Sequence, residues 1–528
     1  MIGLDRPSVT LSGRRVVSGP GRPGGPHRRR YLPGLDALET REVLSTLVVM
    51  NTNASGPGSL RQLVQTAANG DVVTFDPGLN GKTIKSNSGS IAVLKNVQIL
   101  GPGKDLLTLD ASYGQMFRVL SGATNVTIAG LTIKGGVDEV EGGAIRDWGG
   151  NNSTLVLRDD AFIGNKVFGD NARGGAVAKE KGTLRIEGCV FRENTVESLP
   201  GHGDASGAAV FAQGRLVVID STFEDGQVRA GTLPSQLFTT RGGTGRGGAI
   251  AYSAAKGAVA DLEGRPVNPE GRSLAGVFIS GSTFRSNLIY AGYGAALPKT
   301  PTDGGDAFGG AVSIEANDVD GLTVQVLTSQ FRDNEANAGQ AGEGLGNDLP
   351  ANGGNAYGGG VWVNAGTSAG LSLLVDQQSG FFGNIAAGGN GRSMPKMSDP
   401  SLFHSRRAGD GHGGGIAIEA AESTLATFSI KNSLFASDAE GGRGGWIGQN
   451  STDVWGGDGG NGYGGGVWID AGASTDSTFS VVGDTFIACG AWGEFGGSAT
   501  LELGFGGTGG DGIGGALDFH AGGSPARS

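Results

Sequence analysis

Aliphatic and polar residues alternate along this chain in short bursts. Examples are Thr46–Met50, Asp71–Asp76, Val97–Leu100, Leu106–Leu109, Phe117–Leu120, Val126–Ile128 and Leu131–Ile133. Gly, Asp or Ser follows each of the last five within two residues, and these five recur about every ten residues. Period-two runs this short, punctuated this often, predict strands packed on one face in a coil of three short sides. One stretch has helical spacing instead. Ser59 is placed to cap it, Leu60, Leu63 and Val64 share one face, and Gly70 is expected to end it. That helix fits the role of covering an open edge of stacked strands.

From residue 142 the pattern becomes a repeat. Two small residues, a third small residue and an aliphatic recur nine times, with the aliphatic at Ile145, Val177, Val210, Ile250, Val312, Val361, Ile416, Val467 and Leu517. A second anchor, F-x-x-N, alternates with the first and ends at Asn165, Asn194, Asn287, Asn334 and Asn384. Degenerate copies start at Phe223 (with Gly226), Phe435 (with Asp438) and Phe486 (with Cys489). The first two repeats are 32 and 33 residues long and the later ones near 50. Most of the added length is Gly-rich and falls between F-x-x-N and the next glycine pair. A constant stacked unit with a corner of variable length is a solenoid pattern.

The fold expected is all-β: a single-stranded right-handed parallel β-helix with a short N-terminal capping helix and long Gly-rich corner loops. In that fold the aliphatic and Phe anchors form inward columns, and the Asn residues bond from coil to coil. A further column lies six residues before the aliphatic anchor: Asn171, Asp204, Thr244, Asp306, Asn355, Asp410, Asn461 and Asp511. Both columns read as structural ladders. The segments expected are a disordered basic leader over 1–45, the cap and first coils over 46–141, the repeat helix over 142–520, and a disordered tail over 521–528.

Composition sharpens this picture. Of 528 residues 103 are glycine, the charged fraction is 17% and the net charge is −11. Glycine is near three times its average usage of about 7%, without the strict three-residue period of collagen. Residues 1–30 hold seven arginines and one acid, so the body is more acidic than the whole, and no nucleic-acid partner is expected. The two cysteines, Cys189 and Cys489, form no CxxC or Cys/His cluster that could hold zinc. No apolar run is long enough to span a membrane as a helix.

The paired anchors GGA-[IVL] and F-x-x-N over 142–520 resemble the repeat of the chlamydial polymorphic outer-membrane proteins. The segment from Asn51 to Asn80 resembles the opening of bacterial surface β-helices of the pectin-lyase-like superfamily. Leu38, Glu39, Arg41, Leu44 and Ser45 resemble the LExR-x-LLS motif of planctomycete-type surface proteins, with Val43 where Leu is usual. These resemblances imply export, a location outside the cell or on its surface, and a role in adhesion, coating or scaffolding. They imply a surface or matrix glycan or protein as partner. One departure is that the β-barrel of the chlamydial family has no counterpart in this sequence.

Enzymes share the fold, so a polysaccharide lyase or hydrolase is the alternative. Val467-Trp-Ile-Asp470 is similar to the vWiDH motif of pectate lyases, but Ala471 replaces its His. Glu315, Asn364, Glu419 and Asp470 share one outward column on successive coils, with His520 next. Glu315, Glu419 and Asp470 could hold a cation or a sugar, although no Arg accompanies them from coil to coil. Trp362 and Trp468, outward two coils apart, could stack on a sugar ring. The loops Gly456–Asn461 and Gly509–Gly512 resemble a calcium-binding nonapeptide but lack its period. No cofactor is expected, and Ca²⁺ is the one candidate. Gly366-Thr-Ser-Ala-Gly370 lacks the strand-to-helix turn of a nucleophile elbow. Gly81-Lys-Thr83 lacks the first glycine of a P-loop. The expectation is a non-enzymatic surface β-helix.

Overall fold

The computed structural model describes residues 45–87, 89–201, 203–232, 241–254, 276–295, 302–316, 319–342, 351–391, 407–444, 457–495 and 508–521. The basic leader and the first four residues of the export-type motif lie outside these, as do residues 522–528. Leu44–Ser528 forms one compact unit.

The chain winds as a parallel β-helix. Every strand pair is parallel, and each strand bonds to the equivalent strand one coil away. The described strands form sheets of 12, 18, 11 and 7 members. The 18-stranded sheet comprises two columns that meet at the Asn of F-x-x-N, for example Val190–Arg192 and Thr195–Ser198. A coil in the repeat therefore has four or five short strands, where the sequence suggested three sides. Two-residue strands such as Ala205–Ser206 carry too little pattern to be read from sequence.

Alternation within the strands builds the core. Phe162, Phe191, Phe223, Phe284, Phe331, Phe381, Phe435 and Phe486 stack with centroids 4.7 to 5.0 Å apart. That spacing is the distance between hydrogen-bonded strands. The Asn ladder closes the adjacent corner. Asn334 Nδ2 donates to Phe284 O at 3.1 Å and to Asn384 Oδ1 at 2.8 Å, with no exposure. Asn165 bonds to Asn194, and Asn287 to Asn334, in the same way. The coil of Phe435 is one residue shorter at this corner. Ser437, not Asp438, takes the Asn place: Asn384 Nδ2 donates to Ser437 Oγ at 3.3 Å, and Asp438 pairs with Ile385.

Leu60–Thr66 is helical, capped by the Ser59 side chain, with Leu60 and Val64 buried. It packs against the first coils and stops at Ala67, short of Gly70, because the Ala67 backbone turns extended. At the other end, Ala521 closes the last strand.

Candidate functional site

A polar surface lies over the outward face of the 11-stranded sheet, where the glycine-pair strands run. From Ile250–Ser253 onward these strands have four or more residues, so two outward side chains stand on each coil. The first outward column runs Ala251, Ser313, Trp362, Ala417, Trp468, Asp518. The second runs Ser253, Glu315, Asn364, Glu419, Asp470, His520.

The two-residue strands fold back beside this face. Their second residues give another column: Ser206, Arg246, Phe308, Tyr357, His412, Tyr463, Ile513. Phe308, Tyr357, His412 and Tyr463 stack at 4.6 to 5.1 Å. This second aromatic layer covers the tryptophans. Trp362 is 2% exposed and Trp468 6%, tilted against Phe308 and His412. Both point away from the central core as expected, but neither presents a ring face to solvent, which corrects their reading as sugar-stacking platforms. The coil folds back on itself here and buries what a flat sheet would expose.

Trp362 Nε1 donates to Glu419 Oε2 at 2.7 Å. Burial pushes the Glu419 carboxyl up to about 7. The Trp362 hydrogen bond opposes this, and Asp470 and Glu315 reinforce it by repulsion. Asp470 Oδ1 accepts from the Gly472 N–H at 3.0 Å. Glu315 accepts from Arg246 Nε at 2.8 Å, and Arg246 Nη1 reaches Asp204 at 2.6 Å. A cavity of about 230 Å³ opens around this trio, bounded also by Arg173, Phe211 and Gln213. Arg246 is thus an arginine beside the carboxylate column that the strand repeat does not reveal, because it arrives from the neighbouring two-residue strand. Burial pushes His412 down to about 3, so its ring is neutral, and its Nδ1 has no hydrogen-bond partner among the described residues. Among the described residues no group of three or more His, Cys, Asp or Glu could hold a metal ion.

The Asp/Asn column runs beside a second cavity of about 320 Å³. From Asp306 to Asn461, each side-chain oxygen accepts the backbone N–H of the same place one coil on. Asp306 accepts from Asn355 at 2.7 Å, Asn355 from Asp410 at 2.9 Å, Asp410 from Asn461 at 2.8 Å and Asn461 from Asp511 at 2.8 Å. A second row lies three residues earlier: Asp303 accepts from Asn352, Asn352 from Arg407 and Asp458 from Thr508. The described residues of the calcium-like loops lie on these rows: Asp458 accepts from the Thr508 N–H, and the Asp511 N–H donates to Asn461.

Between the strands, the two legs of each long excursion interlock. Backbone N–H groups donate in one unbroken series: Gly243 to Gly231, Gly292 to Gly243, Gly305 to Gly292, Gly339 to Gly305, Gly354 to Gly339, Gly389 to Gly354, Gly409 to Gly389, Gly442 to Gly409 and Gly460 to Gly442, at 2.8 to 3.1 Å. Outgoing and returning legs alternate along the series. A Cβ on Gly354 would lie 2.0 Å from Gly305 O, and one on Gly409 1.8 Å from Gly354 O. Only glycine fits such a neck.

Sequence reasoning missed one more ladder, two residues before each Phe. The backbone N–H of Cys189 donates to Ser221 Oγ, Ser221 to Ser282, Ser282 to Ser329 and Ser329 to Ser379. The recurring Ser-x-Phe was its signal.

No family model matches this sequence, and no curated protein does. Among solved structures, a chain described as "a new PL6 alginate lyase complex with trisaccharide" is similar at 10% identity and a TM-score of 0.24, over 84% of each chain. Among the described residues no helix is long and apolar enough to cross a membrane.

Proposed function

We propose that this protein is a non-catalytic, exported β-helical scaffold that displays a row of loops to a surface or matrix glycan or protein. The interlocked glycine neck carries this reading. It grips successive excursions at one corner and holds their roots at coil spacing, although the leg-to-leg separation varies from 12 residues (Gly231 to Gly243) to 20 (Gly389 to Gly409). Conserving the roots while the loops vary suits display better than catalysis. Much of the polar chemistry between coils is engaged in ladders, which supports a framework role for it. The test is binding of the purified protein to immobilised cell-wall and matrix fractions and to a glycan panel. Retention on one fraction, lost when the 390–408 excursion is replaced by a short Gly/Ser linker in a protein that still folds, is the expected result.

A second reading is polysaccharide cleavage, favoured by Glu419 near neutrality beside Asp470. Two carboxyls on adjacent coils, one of them raised by burial, could divide the roles of acid and base between them. Release of unsaturated or reducing uronate ends from acidic polysaccharides, abolished by Glu419→Gln and by Asp470→Ala, would replace the scaffold reading with this one.

A further inference from the structure

We propose that Asp147 and Lys179 join spontaneously through an intramolecular isopeptide bond that staples two successive coils. The two residues pair in register on adjacent parallel strands, at a place that points into the helix. Their neighbours along that inward column are Val119 on one side and Ala212 on the other. Asp147 is 2% exposed and Lys179 1%. Lys179 Nζ lies 2.7 Å from Asp147 Oδ2. A nitrogen touching one carboxyl oxygen is within about 3.5 Å of the carboxyl carbon, a near-attack separation.

The hydrogen bonds fit the amide better than the ion pair. A lysine ammonium has three N–H donors. Here one meets Asp147 and one meets Ser153 Oγ at 2.8 Å, and no described group takes the third. An uncompensated donor at that depth is costly. An amide nitrogen has a single N–H, and Ser153 Oγ is in place to accept it. The amide oxygen would keep the N–H of Gly149, which already donates to Asp147 Oδ1 at 2.6 Å. Burial also lowers the Lys179 pKa, against the pull of Asp147, which favours the free amine that must attack.

The reaction balances without a co-reactant. A proton passes from the ammonium to Asp147 Oδ2 across the contact, leaving an amine and a carboxylic acid. The nitrogen lone pair attacks Cγ, and the developing negative charge on Oδ1 is held by the Gly149 N–H. A nitrogen proton then moves to the Oδ2 hydroxyl, which leaves as water while the Cγ–Nζ bond remains. Water has a poor route back to a bond with this little exposure.

The test is mass spectrometry of the full chain, purified folded and then denatured. The expected result is an intact mass lower than the sequence mass by one water, with a branched tryptic peptide joining the Asp147 and Lys179 segments and no cleavage after Lys179. Lys179→Arg keeps the charge but should restore the full mass. Unmodified Asp147 and Lys179 peptides in the wild-type protein would overturn the proposal. So would loss of water without the branched peptide, since that marks a cyclic imide at an aspartate. The wild-type map decides the matter even if the variant does not fold.

Discussion

Trp362 and Glu419 are locked together across a coil boundary, the indole N–H donating to the carboxyl at 2.7 Å beneath a layer of stacked rings. This contact couples an aromatic cluster to a carboxyl displaced to about 7 from its ordinary 4.5. In that window the folded protein keeps a proton that the unfolded chain releases. Stability should therefore be full below about pH 4.5, fall as pH rises towards 7, and level off above it. Glu419→Gln should flatten this part of the profile and be more stable than the parent at pH 8, by at most about 3 kcal/mol. Urea unfolding at several pH values measures it, and equal slopes in parent and variant would refute it.

The Asp/Asn ladder predicts a split between two substitutions at one place. Asp410→Ala removes the acceptor for the Asn461 N–H and should cost roughly 1–3 kcal/mol. Asp410→Asn should be close to neutral, because Asn already serves at 355 and 461. Chelator should leave both results unchanged. A chelator-sensitive melting temperature in the parent alone would make the column a metal site instead.

The glycine neck predicts an equally sharp contrast. Gly409→Ala forces a Cβ into the Gly354 carbonyl and should destabilise by about 1–3 kcal/mol, the range of overpacking. Gly150→Ala meets nothing within 4 Å and should be tolerated. Similar melting temperatures for the two variants would show that the neck yields freely.

Cys189 and Cys489 should both be free thiols. Cys189 is buried in the Ser ladder, and Cys489 is half-buried in the Asn place after Phe486. Six coils separate their strands, roughly 29 Å at about 4.8 Å per coil, against a Cα limit near 7 Å for a disulfide. Burial raises both thiol pKa values, so a thiol reagent at neutral pH should react slowly with Cys489 and with Cys189 only on unfolding. A bridge within one chain, found by non-reducing peptide mapping, would contradict the stack.

The sequence by itself determined the order of coils, the Phe stack, the Asn and Asp columns and the separation of the cysteines. It could do so because strands in a parallel β-helix lie in register, so a residue's place in the repeat is also its place in space. The same logic failed wherever neighbours come from different parts of a coil. The two-residue strands that bury Trp362 and Trp468 carry no periodic signal, yet they decide which outward residues meet solvent. Arg246 reaches Glu315 from such a strand. The one-residue deletion that puts Ser437 in the Asn place is visible only once its strand is paired. The Asp147–Lys179 contact shows the limit most plainly. Both residues stand two places after an aliphatic anchor, but only burial on all sides turns two common surface residues into a reactive pair. Exposure belongs to the packed coil and not to the repeat, and tertiary structure alone decides it.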